Sequence, residues 1–174
     1  MAIAGHGVLG EATHLVRRFF GYLRARPLAP REQHEVRDAL GDGLAPLFFA
    51  QHPADQRHGV EMAARVAAAL PQRDDAFVAA LVHDVGKVAA GLGPVRRSLA
   101  TLLDLLHVPM PVRYRRYRDH GAVGAELLDA AGAPPLAVAF ARDHPGVVPE
   151  GVDPLAWDVL EAADRASDRR AAGI

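Results

Sequence analysis

With 174 residues, 50% of them hydrophobic and 24% charged, and a formal net charge of -1, the chain suits a single core; it is too apolar for a disordered segment and too evenly charged to attract nucleic acid or an anionic membrane in general. The absence of cysteine removes disulfides, thiolate nucleophiles and thiolate metal ligands, so any metal ion must be held by histidine and carboxylate. No apolar run approaches the ~20 residues of a membrane span and the start of the chain lacks the pattern of a secretory signal, which makes a cytoplasmic location the expectation.

Helical periodicity dominates the rest. Apolar residues recur at three- and four-residue intervals over 11–24, 30–40, 56–70, 74–82, 95–106, 120–131, 135–143 and 154–170. Glycine and proline cluster between these segments, at 92–94, 108–111, 132–135 and 145–149. No stretch of useful length alternates with a strand's period of two, so an all-α fold is expected. The first fifty residues carry Phe19-Phe20 and Phe48-Phe49 beside Arg17, Arg18, Arg24 and Arg26. They lack the sustained amphipathic moment of a membrane-surface helix and read as helices packed on the domain with a snorkelling basic edge.

The chemistry concentrates in His83-Asp84-Val85-Gly86-Lys87, which directly follows the apolar stretch 79–82 and ends on the chain's single lysine. Adjacent His83 and Asp84 offer an imidazole and a carboxylate from one turn. His58, His120, His144 and Asp164 lie in or at the ends of other helical segments, and helices can deliver such distant residues to one internal cleft. Imidazole and carboxylate together suit a divalent first-row ion (Fe, Mn, Co, Ni or Zn), whereas calcium and magnesium favour oxygen alone. Lys87 lies three residues past Asp84 and, if the helix continues through this run, falls on a neighbouring part of the same face; its ammonium suits either a substrate phosphate or the Asp84 carboxylate.

Arg113, Arg115, Arg116 and Arg118, interleaved with Tyr114 and Tyr117, form the densest basic cluster. Guanidinium forks and aromatic faces fit phosphates and bases, which makes this a candidate wall of a nucleotide pocket; a solvated basic loop is the plain alternative. Gly121 and Gly124 allow another backbone or a bound phosphate to approach the turn that carries His120. His6, His14, His34, His52 and His107 fall outside the pattern and read as structural or exposed.

The order and context of these residues resemble the HD superfamily of metal-dependent phosphohydrolases over roughly residues 56–168. The resemblance rests on His58 in Arg57-His58-Gly59-Val60-Glu61-Met62-Ala63, on the His83-to-Lys87 run, on His120-Gly121-Ala122-Val123-Gly124, and on Asp164 in Glu161-Ala162-Ala163-Asp164-Arg165. It implies a compact helical bundle, with residues 53–170 as the HD domain and 1–52 as an N-terminal helical extension packed on it. His58, His83, Asp84 and Asp164 then match the positions that hold one ion, and His120 and His144 those that hold a second, with Asp84 between them.

The activity implied is hydrolysis of a nucleotide or dinucleotide phosphate ester or anhydride through a metal-activated hydroxide, with Asp84 and Lys87 at the reacting phosphate. The partner is then a phosphorylated small molecule, with no nucleic acid and no stable membrane insertion. A non-catalytic nucleotide-binding or regulatory HD domain is the alternative. Through 138–144 and 161–165 the chain is similar to the small standalone dinucleoside-tetraphosphate hydrolases of the YqeK type, with Pro145 where those carry threonine. It departs from the HD-GYP phosphodiesterases in lacking their paired histidines and their Gly-Tyr-Pro, and in having Ala54 near the place of a third-metal glutamate.

Overall fold

A computed structural model describes residues 25–89 and 120–172. These form α1 (Pro30–Phe49), α2 (Pro53–Ala69), α3 (Asp74–Val82), α4 (Gly86–Ala89), α5 (His120–Ala130), α6 (Pro135–Asp143) and α7 (Pro154–Ala172), and the described residues contain no strand. The fold is all-α. The segments 11–24 and 95–106, expected to be helical, lie outside the described residues.

Helix α3 is the axis of the bundle, and its composition explains why. Asp74 and Asp75 open it where the free amides of the first turn favour negative charge, and seven residues without a polar side chain follow. Ala76, Val78, Ala79, Ala80, Leu81 and Val82 are all buried. A helix apolar on every side is stable only when surrounded, and α3 packs against α1, α2, α6 and α7. Burying each large side chain stabilises the fold by roughly 1.5–3 kcal/mol relative to leaving it in water.

Among the expected helices, two boundaries differ by three residues or more, each for a local reason, and the short α4 is not one of those expected. Helix α1 runs on to Phe49 instead of stopping at residue 40, because Gly41 takes a positive φ of 61°, redirects the chain, and lets helix resume. The resumed turns bury Leu44, Ala45 and Phe48 in the common core with Met62, Leu81, Phe140, Trp157 and Leu160. Helix α2 begins at Pro53, three residues early. There His52 Nδ1 accepts the Ala54 amide at 3.2 Å, and the proline occupies the first helical position, where its missing N–H costs nothing.

The far end of the molecule is tied by Arg73. Its guanidinium contacts both oxygens of Asp75 at 2.8 and 2.9 Å and Asp153 at 2.5 Å, while Asp153 also caps α7 through the Leu155 amide at 2.9 Å. The α2–α3 turn is thereby fixed to the start of α7. Asp164 follows three turns later on that helix.

Candidate functional site

The buried axis α3 ends at His83, and the chain makes a tight turn through Asp84 and Val85 before α4. His83 and Asp84 are 2% and 4% exposed, so a titratable pair sits inside the protein at the tip of the most apolar of the described helices. Such burial is tolerable only where partners compensate the lost hydration. Two glycines let the partners come close. A Cβ at Gly59 would lie 2.9 Å from the Leu81 carbonyl oxygen, so only glycine lets α2 cross the end of α3 here and bring His58 to His83. At Gly86 a Cβ would collide with the His120 carbonyl oxygen and stand 2.7 Å from Gly124 N, so the α4–α5 contact that seats His120 also demands glycine. Gly124 faces Gly86, and Gly121 faces the carbonyls of Ala141 and Arg142. These glycines admit neighbouring backbone.

The side chains then converge. The His58 and His83 rings have centroids 5.2 Å apart, and His83 and His144 have theirs 5.1 Å apart. His58 Nε2 is 2.9 Å from Asp164 Oδ1, and His83 Nε2 is 3.8 Å from the same oxygen. Asp84 divides its carboxylate: Oδ2 faces His83 Nε2 at 3.4 Å and accepts from Lys87 Nζ, while Oδ1 faces His120 Nε2 at 3.6 Å. His58, His83 and Asp84 each offer one ligand atom within 4.8 Å of the others, a nitrogen and oxygen donor set that can hold a divalent first-row ion.

Two of the histidines have their tautomer fixed by backbone. His83 Nδ1 lies 2.9 Å from the Ala80 carbonyl, one of the free carbonyls at the end of α3, and His144 Nδ1 lies 2.5 Å from the Phe140 carbonyl. A carbonyl only accepts, so both Nδ1 atoms carry the proton and both neutral rings present a bare Nε2. The same second-contact arrangement orients histidines at metal centres generally.

Electrostatics follow from the geometry. Burial alone raises the Asp84 carboxyl, but the Lys87 ammonium with His83 and His120 holds it well below the usual carboxylate range. Asp164 shows the same contest: burial pushes it up, and the hydrogen bond from His58 and the field of His83 bring it down. Burial pushes the His83 imidazole down, yet Asp84 and Asp164 outweigh it and the net direction is up. His144 has burial and the neighbouring His83 acting together and falls to about 4.

Of the residues singled out in the sequence, His58, His83, Asp84, Lys87, His120, His144 and Asp164 meet in this one cleft. Lys87 lies on Asp84, the second of its two expected partners. Arg113, Arg115, Arg116 and Arg118 lie outside the described residues. His52 caps α2, and His34 pairs with Asp38 on the surface at 3.3 Å. Phe140, which stacks on His144, and Glu161, which receives the Gly146 amide, lie within the segments 138–144 and 161–165, but their residue types assign them no role there; the four-residue spacing from Phe140 to His144 is the signal that was there to find.

Comparison with known proteins agrees with this geometry. No curated protein and no solved structure matches the chain. The family model described as HD domain matches residues 57–169, a span that contains every member of the cleft from His58 to Asp164. A buried His-Asp pair at a helix tip, met by histidines and a second aspartate from other helices over that matched span, places the chain in the HD domain family.

Proposed function

We propose that the protein is a metal-dependent phosphohydrolase acting on a nucleotide or dinucleotide phosphate ester or anhydride. The observation that carries this reading is the split carboxylate of Asp84, with one oxygen toward His83 and the other toward His120. The donor set fits the group: three nitrogen and oxygen atoms within 4.8 Å, on side chains with little solvent around them. His58, His83, Asp84 and Asp164 would hold a first ion, and His120 and His144 a second. Divalent ions so held polarise a phosphoryl oxygen and acidify water enough to provide a nucleophile at neutral pH.

The chain's own groups do the rest. His83 and His144 keep Nδ1 protonated against carbonyls and leave Nε2 as donor. Asp84 stays ionised, with anionic charge for both sides of the cleft. Lys87, at the cleft's edge with 18% of its side chain exposed, provides an ammonium for a substrate phosphate oxygen. The arginines at 113, 115, 116 and 118 supply further phosphate and base contacts, and symmetrical cleavage of a dinucleoside polyphosphate is the specific substrate we favour.

The test is purified protein reloaded with Mn²⁺, Fe²⁺, Co²⁺, Ni²⁺ or Zn²⁺ and screened against phosphomonoesters, nucleotides, cyclic dinucleotides and dinucleoside polyphosphates. Metal-dependent release of a phosphorylated product supports the reading. Protein that holds its metal and turns over nothing in the panel is instead a binding or regulatory HD domain.

A further inference from the structure

Phe140 touches the cleft through three separate contacts. It is fully buried, four residues before His144 on α6. Its ring stacks on the His144 ring, with centroids 4.5 Å apart and planes 14° apart, and meets His83 edge-on at 6.1 Å and 60°. Its carbonyl accepts from His144 Nδ1 at 2.5 Å and from the His144 amide at 3.1 Å. One residue therefore sets the plane of the His144 ring, closes one side of the His83 ring, and decides which His144 nitrogen is bare.

Phe140 is itself held from behind. Trp157 meets it edge-on at 5.1 Å and donates Nε1–H to the Gly146 carbonyl at 3.3 Å, while the Gly146 amide donates to Glu161 at 3.2 Å. Trp157 and Glu161 lie on α7, the helix that carries Asp164. The turn that follows His144 is thus fixed at both ends of Gly146 by the helix that brings in the opposing carboxylate.

We propose that Phe140 is the positioning residue of the centre, orienting His83 and His144 so that their Nε2 atoms converge on one cation-binding cleft. The inference rests on the metal-centre reading above and assigns Phe140 no contact with substrate. An imidazole rotates about its Cβ–Cγ bond unless a plane lies against it. A ring stacked at 14° supplies that plane, and a flexible side chain of similar volume does not.

Calorimetric titration of Mn²⁺ into the parent protein and into Phe140→Met, with thermal unfolding as the fold control, tests this. Phe140→Met unfolds cooperatively and binds Mn²⁺ on the order of tenfold more weakly, the scale for losing an outer contact of a ligand. The loss shrinks in a His144→Ala background, since part of it passes through that ring. Parent-like affinity in folded Phe140→Met overturns the inference and leaves the metal centre standing. If Phe140→Met does not unfold cooperatively, Phe140→Leu, which likewise offers no ring plane, is titrated with Mn²⁺ and Zn²⁺ beside the parent: binding weaker on the order of tenfold supports the inference, and parent-like affinity overturns it. A parent that takes up neither ion rejects the metal centre itself, a distinguishable failure.

Discussion

His58 Nε2 lies 2.9 Å from Asp164 Oδ1, a contact that joins α2 to α7 across 106 positions of sequence. Two donors of the cleft therefore already touch. That hydrogen bond holds them together, and both helices that carry them pack on α3.

Asp84→Ala removes the carboxylate on which His83, Lys87 and His120 converge. Turnover is expected to vanish and bound metal, measured by elemental analysis per protein, to fall below half the parent value. Leaving a cation buried without its counter-charge is expected to cost roughly 3 kcal/mol, read from denaturant unfolding. Folded Asp84→Ala with parent-like turnover contradicts the mechanism.

Lys87→Ala leaves the donor set intact and removes the ammonium beside it. KM is expected to rise on the order of tenfold with kcat within a few-fold of the parent, the pattern of lost binding energy. An unchanged KM takes Lys87 out of the phosphate site and leaves it as the counter-ion of Asp84.

Gly86→Ala places a methyl group where the His120 carbonyl stands. Because the obstacle is backbone, α5 must move as a body and carry His120 with it. A loss of about 1–3 kcal/mol in unfolding free energy is expected, with weakened metal uptake alongside. Undiminished stability and uptake in Gly86→Ala would show that α4 and α5 can part without consequence for the cleft.

The metal-free protein, prepared by chelation, is expected to be most stable near pH 6.5. His144 titrates near 4 when folded against 6.5 when free, so the unfolded chain takes the proton first; its stabilisation is complete above 6.5 and is lost as pH falls toward 4. On its own that limb amounts to about 2–3 kcal/mol for a largely buried group. His83 works the other way: its raised value stabilises fully below 6.5 and less as pH rises through it. Asp84 and Asp164, both lowered, steepen the fall below their ordinary 3.8. Unfolding curves across pH check the shape. His144→Gln should flatten the limb between 4 and 6.5, and a limb that survives this change assigns it to another group.

How much of this was legible in the sequence varies with the physics behind each feature. Helix α3 was read to the residue, because its acids and its unbroken apolar run leave one interpretation. The continuation of α1 past residue 40 was not: Gly41, Gly43 and Pro46 are all breakers locally, and only the burial of Leu44 and Phe48 against other helices outweighs them. Which side chains meet in the cleft could be read from an ordered set of donors spread over several helices. Why Gly86 and Gly59 are glycine could not, since the atoms they avoid are backbone oxygens of residues remote in sequence. Phe140 looked like one more core aromatic, and its four-residue spacing from His144 was the one sequence hint that its ring faces an imidazole.

Because α3 is enclosed by four other helices, its last turn has no way to loosen by itself. Deuterium should enter the amides from Val82 to Val85 only when the entire molecule opens, at the rate set by global unfolding. Heating should therefore abolish catalysis and cooperative structure at a single temperature, with no dormant folded state in between.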